Sequence, residues 1–259
     1  MNNIFALAGV VIKELYRRKD FYVLFVMTAV VSLLLGSVRF FNDDKIVRFI
    51  KAACLLLIWI STLVIAITTA ARQIPAERES RTIFPLLAKP VSRWELIAGK
   101  FFGCWLACGI TLVVFYLFFG LLTSSYEHHW PVATFFQGIW MHWVFLAIVI
   151  ALVLLGSVVF TAQSSNATIS FIVVVGILFA GRHLHYVGLG MNGFGGEIVT
   201  AVYYAIPHLE WYDMRDLVIH DWAQIDWIYI AGATLYGALY TGLLLGLTWM
   251  VFRRKTLTL

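Results

Sequence analysis

The chain alternates long apolar runs with short polar stretches, and the runs have the length of membrane spans. A helix needs about 20 mostly apolar residues to cross the hydrocarbon core. Six runs approach that length: Phe21–Val38, Ala52–Ala71, Phe101–Leu122, Ile139–Ala162, Ala167–Gly181 and Trp227–Phe252. The fifth is the shortest; it either tilts or continues into the Gly-rich stretch that follows. Before the first run, Ile4, Phe5, Leu7, Ala8, Val11, Ile12 and Leu15 recur at helical spacing, with Lys13, Glu14 and Arg17 off the stripe. This predicts an amphipathic helix over residues 1–20, lying in the headgroup layer. The expected fold is an all-α polytopic membrane protein in one domain, residues 1–259. It has six transmembrane helices, a polar inner loop over 72–100 and an outer segment over 182–226 carrying short helices before the last span.

Composition agrees. Of 259 residues, 61% are hydrophobic and 13% charged, and the mean hydropathy is +0.87. A water-solvated domain of this length cannot hide that much apolar surface, whereas a lipid-facing outside can expose it. The net charge of +5 reflects topology and not nucleic-acid binding, because the basic residues gather at the ends of the apolar runs. One side collects Lys13, Arg17, Arg18, Lys19, Arg72, Arg78, Arg81, Lys89, Arg93, Lys100, Arg253, Arg254 and Lys255. The other holds Asp43, Asp44, Glu127, Glu197, Glu210, Asp213, Asp216, Asp221 and Asp226. Both termini are therefore expected in the cytoplasm. The first outer loop, with Arg39, Lys45, Arg48 and Lys51, is the dissenting feature. No cleavable signal precedes Phe21, so the first run is expected to remain as an anchor. Cys54, Cys104 and Cys108 all lie inside apolar runs and read as small buried hydrophobes.

The inner loop is the most patterned polar segment. Glu77, Arg78, Glu79 and Arg81 suit a short solvent-facing helix, followed by an apolar patch at Ile83, Phe84, Leu86 and Leu87. Pro85 and Pro90 break the chain. Ser92 then reads as an N-cap, with Glu95 completing a capping box at the start of the third span. An ordinary charged loop obeying the positive-inside rule is the plainer reading of the same residues. The outer segment opens with glycines that permit turns and close packing, continues as an amphipathic stretch over 197–205, and is rich in Tyr and Trp that suit the outer interface.

This loop resembles that of the type-2 permeases of ATP-binding-cassette (ABC) exporters. Their pattern is an acidic-basic stretch, a Thr, a Leu-Leu pair, Pro-Val-Ser-Arg, then Gly-Lys entering the third span. Here these are Glu77–Arg81, Thr82, Leu86–Leu87, Pro90–Arg93 and Gly99–Lys100. Arg81 stands where the family usually has Gly, and Pro85 is a further departure. The stretch Tyr203–His220 resembles a Pro–x–Leu/Phe–Glu–x–aromatic–Asp segment found in the branch that includes multicopper-enzyme maturation permeases. The resemblance implies a six-span permease subunit in a bacterial inner membrane, dimeric, most simply with a second copy of itself, and driven by separate cytoplasmic ATPase subunits. It implies an exporter. Glu77, Arg78, Glu79, Arg81 and Thr82 are the implied ATPase contact. The implied substrate path runs between subunits near the first, second and fifth spans, where Ser61, Thr62, Thr68 and Thr69 could line it. Helix packing is the plainer reading of those four, since Ser and Thr are common at membrane helix contacts.

The chain carries no phosphate-binding loop, nucleophile elbow or His-Glu-x-x-His motif. No catalytic residue, metal ligand or cofactor is therefore assigned to it; ATP and Mg belong to the partner. The apolar runs contain no Asp, Glu, Lys or Arg in their interiors, which counts against a proton-coupled carrier. All seven histidines, His128, His129, His142, His183, His185, His208 and His220, fall on the outer side or at its membrane edge. They leave open a different class of protein: a membrane-embedded metal protein or enzyme. A scaffold that transmits force to an extracytoplasmic partner is the third reading, and the long outer segment leaves room for one.

Overall fold

In a computed structural model of the chain, residues 2–17, 19–37, 44–79, 92–127, 132–191 and 194–254 are described, and among them the regular structure is entirely helical. The helices are α1 (Asn2–Arg17), α2 (Lys19–Ser37), α3 (Asp44–Ala71), α4 (Pro75–Glu79), α5 (Arg93–Glu127), α6 (Val132–Val159) and α7 (Gln163–Gly190). They continue with α8 (Phe194–Ala205), a 3-10 turn (Leu209–Tyr212), α9 (Arg215–Ile219) and α10 (Trp227–Arg254). Five helical stretches are long and apolar enough to span: Arg48–Glu79, Arg93–Ser124, Val132–Val159, Gln163–Gly181 and Trp227–Arg254. The first expected run forms α2, a helix of 19 residues.

Long helices run up and down between two ends. At the base lie the end of α3, α4, the starts of α5 and α7, and the ends of α6 and α10. At the top lie the start of α3, the end of α5, the start of α6, the 3-10 turn, α9 and the start of α10. The core forms where α3, α5 and α6 meet, around Ile58, Phe115, Phe145 and Leu154. Of the apolar window of α6, 72% is buried, against 22% for α7 and 28% for α10. Those last two helices therefore carry bare faces, as does α2 at Val23, Val26, Met27, Leu33 and Leu34.

Apolar side chains gain little from meeting each other in lipid, so close approach and polar contacts must hold the helices together. Gly99 and Gly103 on α5 supply the first. A Cβ on Gly99 would stand 2.7 Å from the Leu7 Cβ, and one on Gly103 would stand 2.7 Å from the Val11 Cβ and 3.0 Å from the Ala8 Cα. The stripe of α1 that suggested a helix lying among headgroups is thus spent largely on another helix. Leu7, Ala8 and Val11 climb α5 in the same direction. Trp105 and Trp143 supply the second kind of contact. Their rings stack at 4.3 Å, and each indole N–H donates to the other residue's carbonyl, at 3.0 and 3.1 Å.

Two boundaries differ from the sequence expectation. α3 begins at Asp44, so Lys45, Arg48 and Lys51 are helical and not part of a loop. Lys51 is 1% exposed, and its ammonium bonds the Asp221 carboxylate at 2.9 Å. Asp221 takes a left-handed backbone, φ 49, which Asp tolerates better than most residues. This pair explains part of the basic first outer loop, because one of its charges is neutralised inside the fold. At the other boundary, α7 runs on to Gly190. The glycine there that matters, Gly181, makes room and not a turn: a Cβ would stand 2.4 Å from the Glu210 Oε2.

Replacing Gly103 by Leu is expected to push α1 off α5 and to cost about 1–3 kcal/mol as an overpacked contact. Gly232→Leu, where nothing lies within 4 Å of a Cβ, is expected to leave stability nearly unchanged. Thermal unfolding of the detergent-purified variants compares the two.

Candidate functional site

The inner loop hangs from a break in α3. After Ala71 the helix loosens into a turn, and Pro75 opens α4. Proline fits the first helical position but has no N–H to give the carbonyl four residues earlier. That carbonyl belongs to Ala71, and Asn166 of α7 satisfies it: its Nδ2 donates to Ala71 O at 3.1 Å and to Val153 O of α6 at 3.2 Å. Ser170 donates to the Asn166 Oδ1 at 3.1 Å. One fully buried amide therefore ties together α3, α6 and α7 at the point where the loop begins.

α4 is then fastened to α5. Ile74 and Pro75 are buried, and Glu77 bonds Lys100 at 2.5 Å, both side chains largely shielded. Arg72 pairs with Glu14 of α1. The start of α5 carries the expected capping box. The Ser92 N–H donates to Glu95 Oε2 at 2.7 Å, and the Glu95 N–H donates back to Ser92 Oγ at 3.2 Å. Arg93 donates from Nη1 to the carbonyls of Phe252 at 2.6 Å and Arg253 at 3.1 Å. It thereby closes the end of α10 onto the start of α5.

The coupling candidates separate on this frame. Glu79 is exposed. Glu77 is not the solvent-facing residue its sequence context suggested, because Lys100 holds it between helices. Arg78 is half-buried, and its Nε and Nη2 have no hydrogen-bond partner among the described residues. Arg81 and Thr82 lie outside the described residues. In the sequence Lys100 counted as a topology charge and as part of the Gly99–Lys100 element of the resemblance, with no partner assigned; Asn166, a lone amide at the edge of a run, was not singled out.

The α3 hydroxyls meet different partners. Ser61 Oγ lies 2.9 Å from Thr28 Oγ1 of α2. Thr62 donates to the Ile58 carbonyl at 2.8 Å and shares a 3.0 Å hydrogen bond with His142 Nε2. Thr68, half-buried, donates to Val64 O at 2.8 Å. Thr69 is buried, and its carbonyl accepts from Gln73 Nε2 at 3.1 Å. The four are therefore not gathered on one open face.

The histidines are dispersed. His142 is buried. α6 starts at Val132, seven residues before the expected run, and carries His142 into the core beside Thr62, Tyr116 and Trp59. His208 packs among Tyr203 and Trp211, with ring centroids at 4.5 and 4.9 Å. His220 stacks on Trp222, and His183 is exposed. His128 and His129 lie outside the described residues, as does the side chain of His185. Among the described residues, no group of three or more His, Cys, Asp or Glu is placed to hold a metal ion.

Near the top, Arg215 donates to both oxygens of Asp213 at 2.8 Å and lies 5.2 Å from the Trp59 ring. The Asp213 carboxylate raises the guanidinium pKa above its ordinary value. Burial raises that of the Tyr212 hydroxyl, which donates to Ala233 O at 2.8 Å and pins the 3-10 turn to α10.

These features define a polytopic helical membrane protein whose one patterned polar loop is clamped to several long helices at once. The chain belongs to the ABC-2 family of transporter proteins: the family's sequence model matches residues 47–255, so it reaches from α3 past the end of α10. No curated protein matches the chain. The family comprises membrane components of ABC transporters, in agreement with the resemblance drawn from the inner loop.

Asn166→Leu is expected to cost about 1–3 kcal/mol, since it strands a buried carbonyl. Adding Pro75→Ala restores an N–H at the break and should recover part of the loss. Thermal melts of the two single variants and the double variant give the coupling between the sites.

Proposed function

We propose that this chain is the permease subunit of an ABC exporter, driven through α4 by separate cytoplasmic ATPase subunits. The observation that carries the reading is the mounting of α4. It is short and ends in the exposed Glu79, and it is bound by Pro75 and Asn166 to α3, α6 and α7 and by Glu77–Lys100 to α5. A push on such a piece moves several spans together, because ion pairs and buried hydrogen bonds resist separation more than apolar contacts in lipid do. Charge-paired contacts also suit a surface that moves without detaching.

In this reading the base faces the cytoplasm of a bacterial cell, and both termini lie on that side. Arg72, Arg78, Arg93, Lys100, Arg253 and Arg254 all lie at the base, which follows the positive-inside bias. The ATPase meets Glu79 and the neighbouring Arg78, Arg81 and Thr82. Glu77 and Lys100 pass the movement inward. A second copy packs against the bare face of α7, and the path for cargo runs between copies, with α3 and its Ser61, Thr62, Thr68 and Thr69 behind it. ATP and Mg stay on the ATPase.

Co-purification tests this directly. The tagged chain, extracted in mild detergent, is expected to bring down a nucleotide-binding subunit with ATPase activity. Glu79→Lys should remove that subunit while the melting temperature stays unchanged, since Glu79 is exposed. Recovery of the wild-type chain alone, without ATPase activity, would sink the proposal.

A further inference from the structure

A cleft of about 440 Å³ opens sideways where α5, α6 and α10 meet. Trp94, Phe102 and Trp105 of α5 and Trp140 of α6 form one wall, and Ala238 and Gly242 of α10 face them. Trp94, Phe102, Ala238 and Gly242 are exposed, so the cleft can be entered from the side. On Gly242 a Cβ would meet nothing within 4 Å. The volume lies in the range of small-ligand clefts, roughly 300–1,000 Å³, and the lining is aromatic and aliphatic. It suits one apolar chain.

The lower end of the cleft is basic. Arg93, the residue before Trp94, donates to the carbonyls of Phe252 and Arg253. The C-terminal end of a helix carries partial negative charge that repels anions, but here those carbonyls are already bonded to a guanidinium. Arg253 and Arg254 add two exposed cations. Arg253 follows Gly242 by eleven residues, close to three full turns, which returns it to the face of α10 that lines the cleft. Its guanidinium lies 5.6 Å from the Trp249 ring, one turn nearer the cleft. The acid of this corner, Glu95, is taken up by the Ser92 cap. An apolar trough that ends on two arginines fits a molecule with an apolar tail and an anionic head.

We infer that this cleft is a binding site for an anionic phospholipid of the leaflet on the side of the base. One acyl chain lies in the trough, and the phosphate meets Arg253 and Arg254. Basic pockets between membrane helices recognise anionic headgroups by the same combination of charge and depth. Occupancy bridges the start of α5 and the end of α10, so the lipid strengthens the junction that Arg93 closes. The inference goes beyond the permease reading and involves no ATPase.

The experiment uses the full chain, delipidated in detergent and incubated with phosphatidylglycerol or with phosphatidylcholine of the same chain length. Native mass spectrometry counts the lipid retained. One phosphatidylglycerol is expected to bind at least about tenfold more tightly than phosphatidylcholine. Arg253→Gln/Arg254→Gln should weaken it about thirtyfold, the scale of two basic side chains at an anionic surface, and Arg253→Lys/Arg254→Lys should keep most of the affinity. Gly242→Leu fills the trough from its open side and should abolish the tight adduct. Gly232→Leu, outside the lining, should bind as the wild type does. Phosphatidylglycerol should also raise the melting temperature of the wild type and not that of Gly242→Leu, since a ligand of the native state stabilises it by mass action. Equal affinity for the two lipids, or full binding by the folded Gly242→Leu variant, overturns the inference. So does displacement by inorganic phosphate, which would make the occupant a free anion. A disulfide between two copies of Gly242→Cys in native membranes would seat a second chain in the cleft and overturns it as well.

Discussion

The bond from Asn166 to the carbonyl of Ala71 is the contact on which the lower half of the molecule depends. Inside a bilayer no water is at hand to satisfy a backbone group, so a helix can break only where another element supplies the missing partner. Pro75 forces such a break in α3, and Asn166 answers it from a helix 95 positions further along the chain. The same amide also bonds α6. The price of making α4 a separate piece is thus met by a junction of three long helices. That junction gives the inner loop a firm base at the edge of the membrane.

The rest of the bundle follows the same constraint. Apolar contact cannot by itself choose one helix arrangement over another in lipid. The choices are made by small residues and by paired polar groups. Gly99 and Gly103 admit α1 against α5. Trp105 and Trp143 exchange indole hydrogen bonds with each other's backbone. Lys51 and Asp221 fasten α9 and the turn after it to the top of α3, and Gln137 exchanges two hydrogen bonds with the backbone of Ile225. α7 and α10 are held by such devices on one side and stay largely unburied on the other, and α7 is the face offered to a second subunit in the proposed assembly.

Much of this was legible from residue patterns. The apolar runs announce their helices because a span leaves a long uniform signature, and the Ser92–Glu95 box forms as read because capping is local. The family, too, was legible in the inner loop. What the sequence concealed was long-range pairing. Lys45, Arg48 and Lys51 look like a loop until Asp221 is brought to Lys51, and Glu77 looks solvent-facing until Lys100 lies beside it. His142 looks like one of several dispersed histidines until Thr62 and Tyr116 are brought to it from two other helices. Gly181 belongs to a stretch whose glycines permit close packing, but that it is a recess for Glu210 shows only in the fold. Each of these depends on a partner that no spacing rule connects to it.

The most direct test of the account is site-specific photo-cross-linking in native membranes, with a benzophenone amino acid placed at Glu79 or at Tyr186. Glu79 is the exposed tip of α4, and Tyr186 is an exposed residue at the opposite end of the bundle. The account expects a nucleotide-binding subunit to be captured from Glu79, with a yield that changes when ATP is bound, and not from Tyr186. Capture from Tyr186, or no nucleotide-binding subunit from either position in a folded and fully expressed protein, would contradict it.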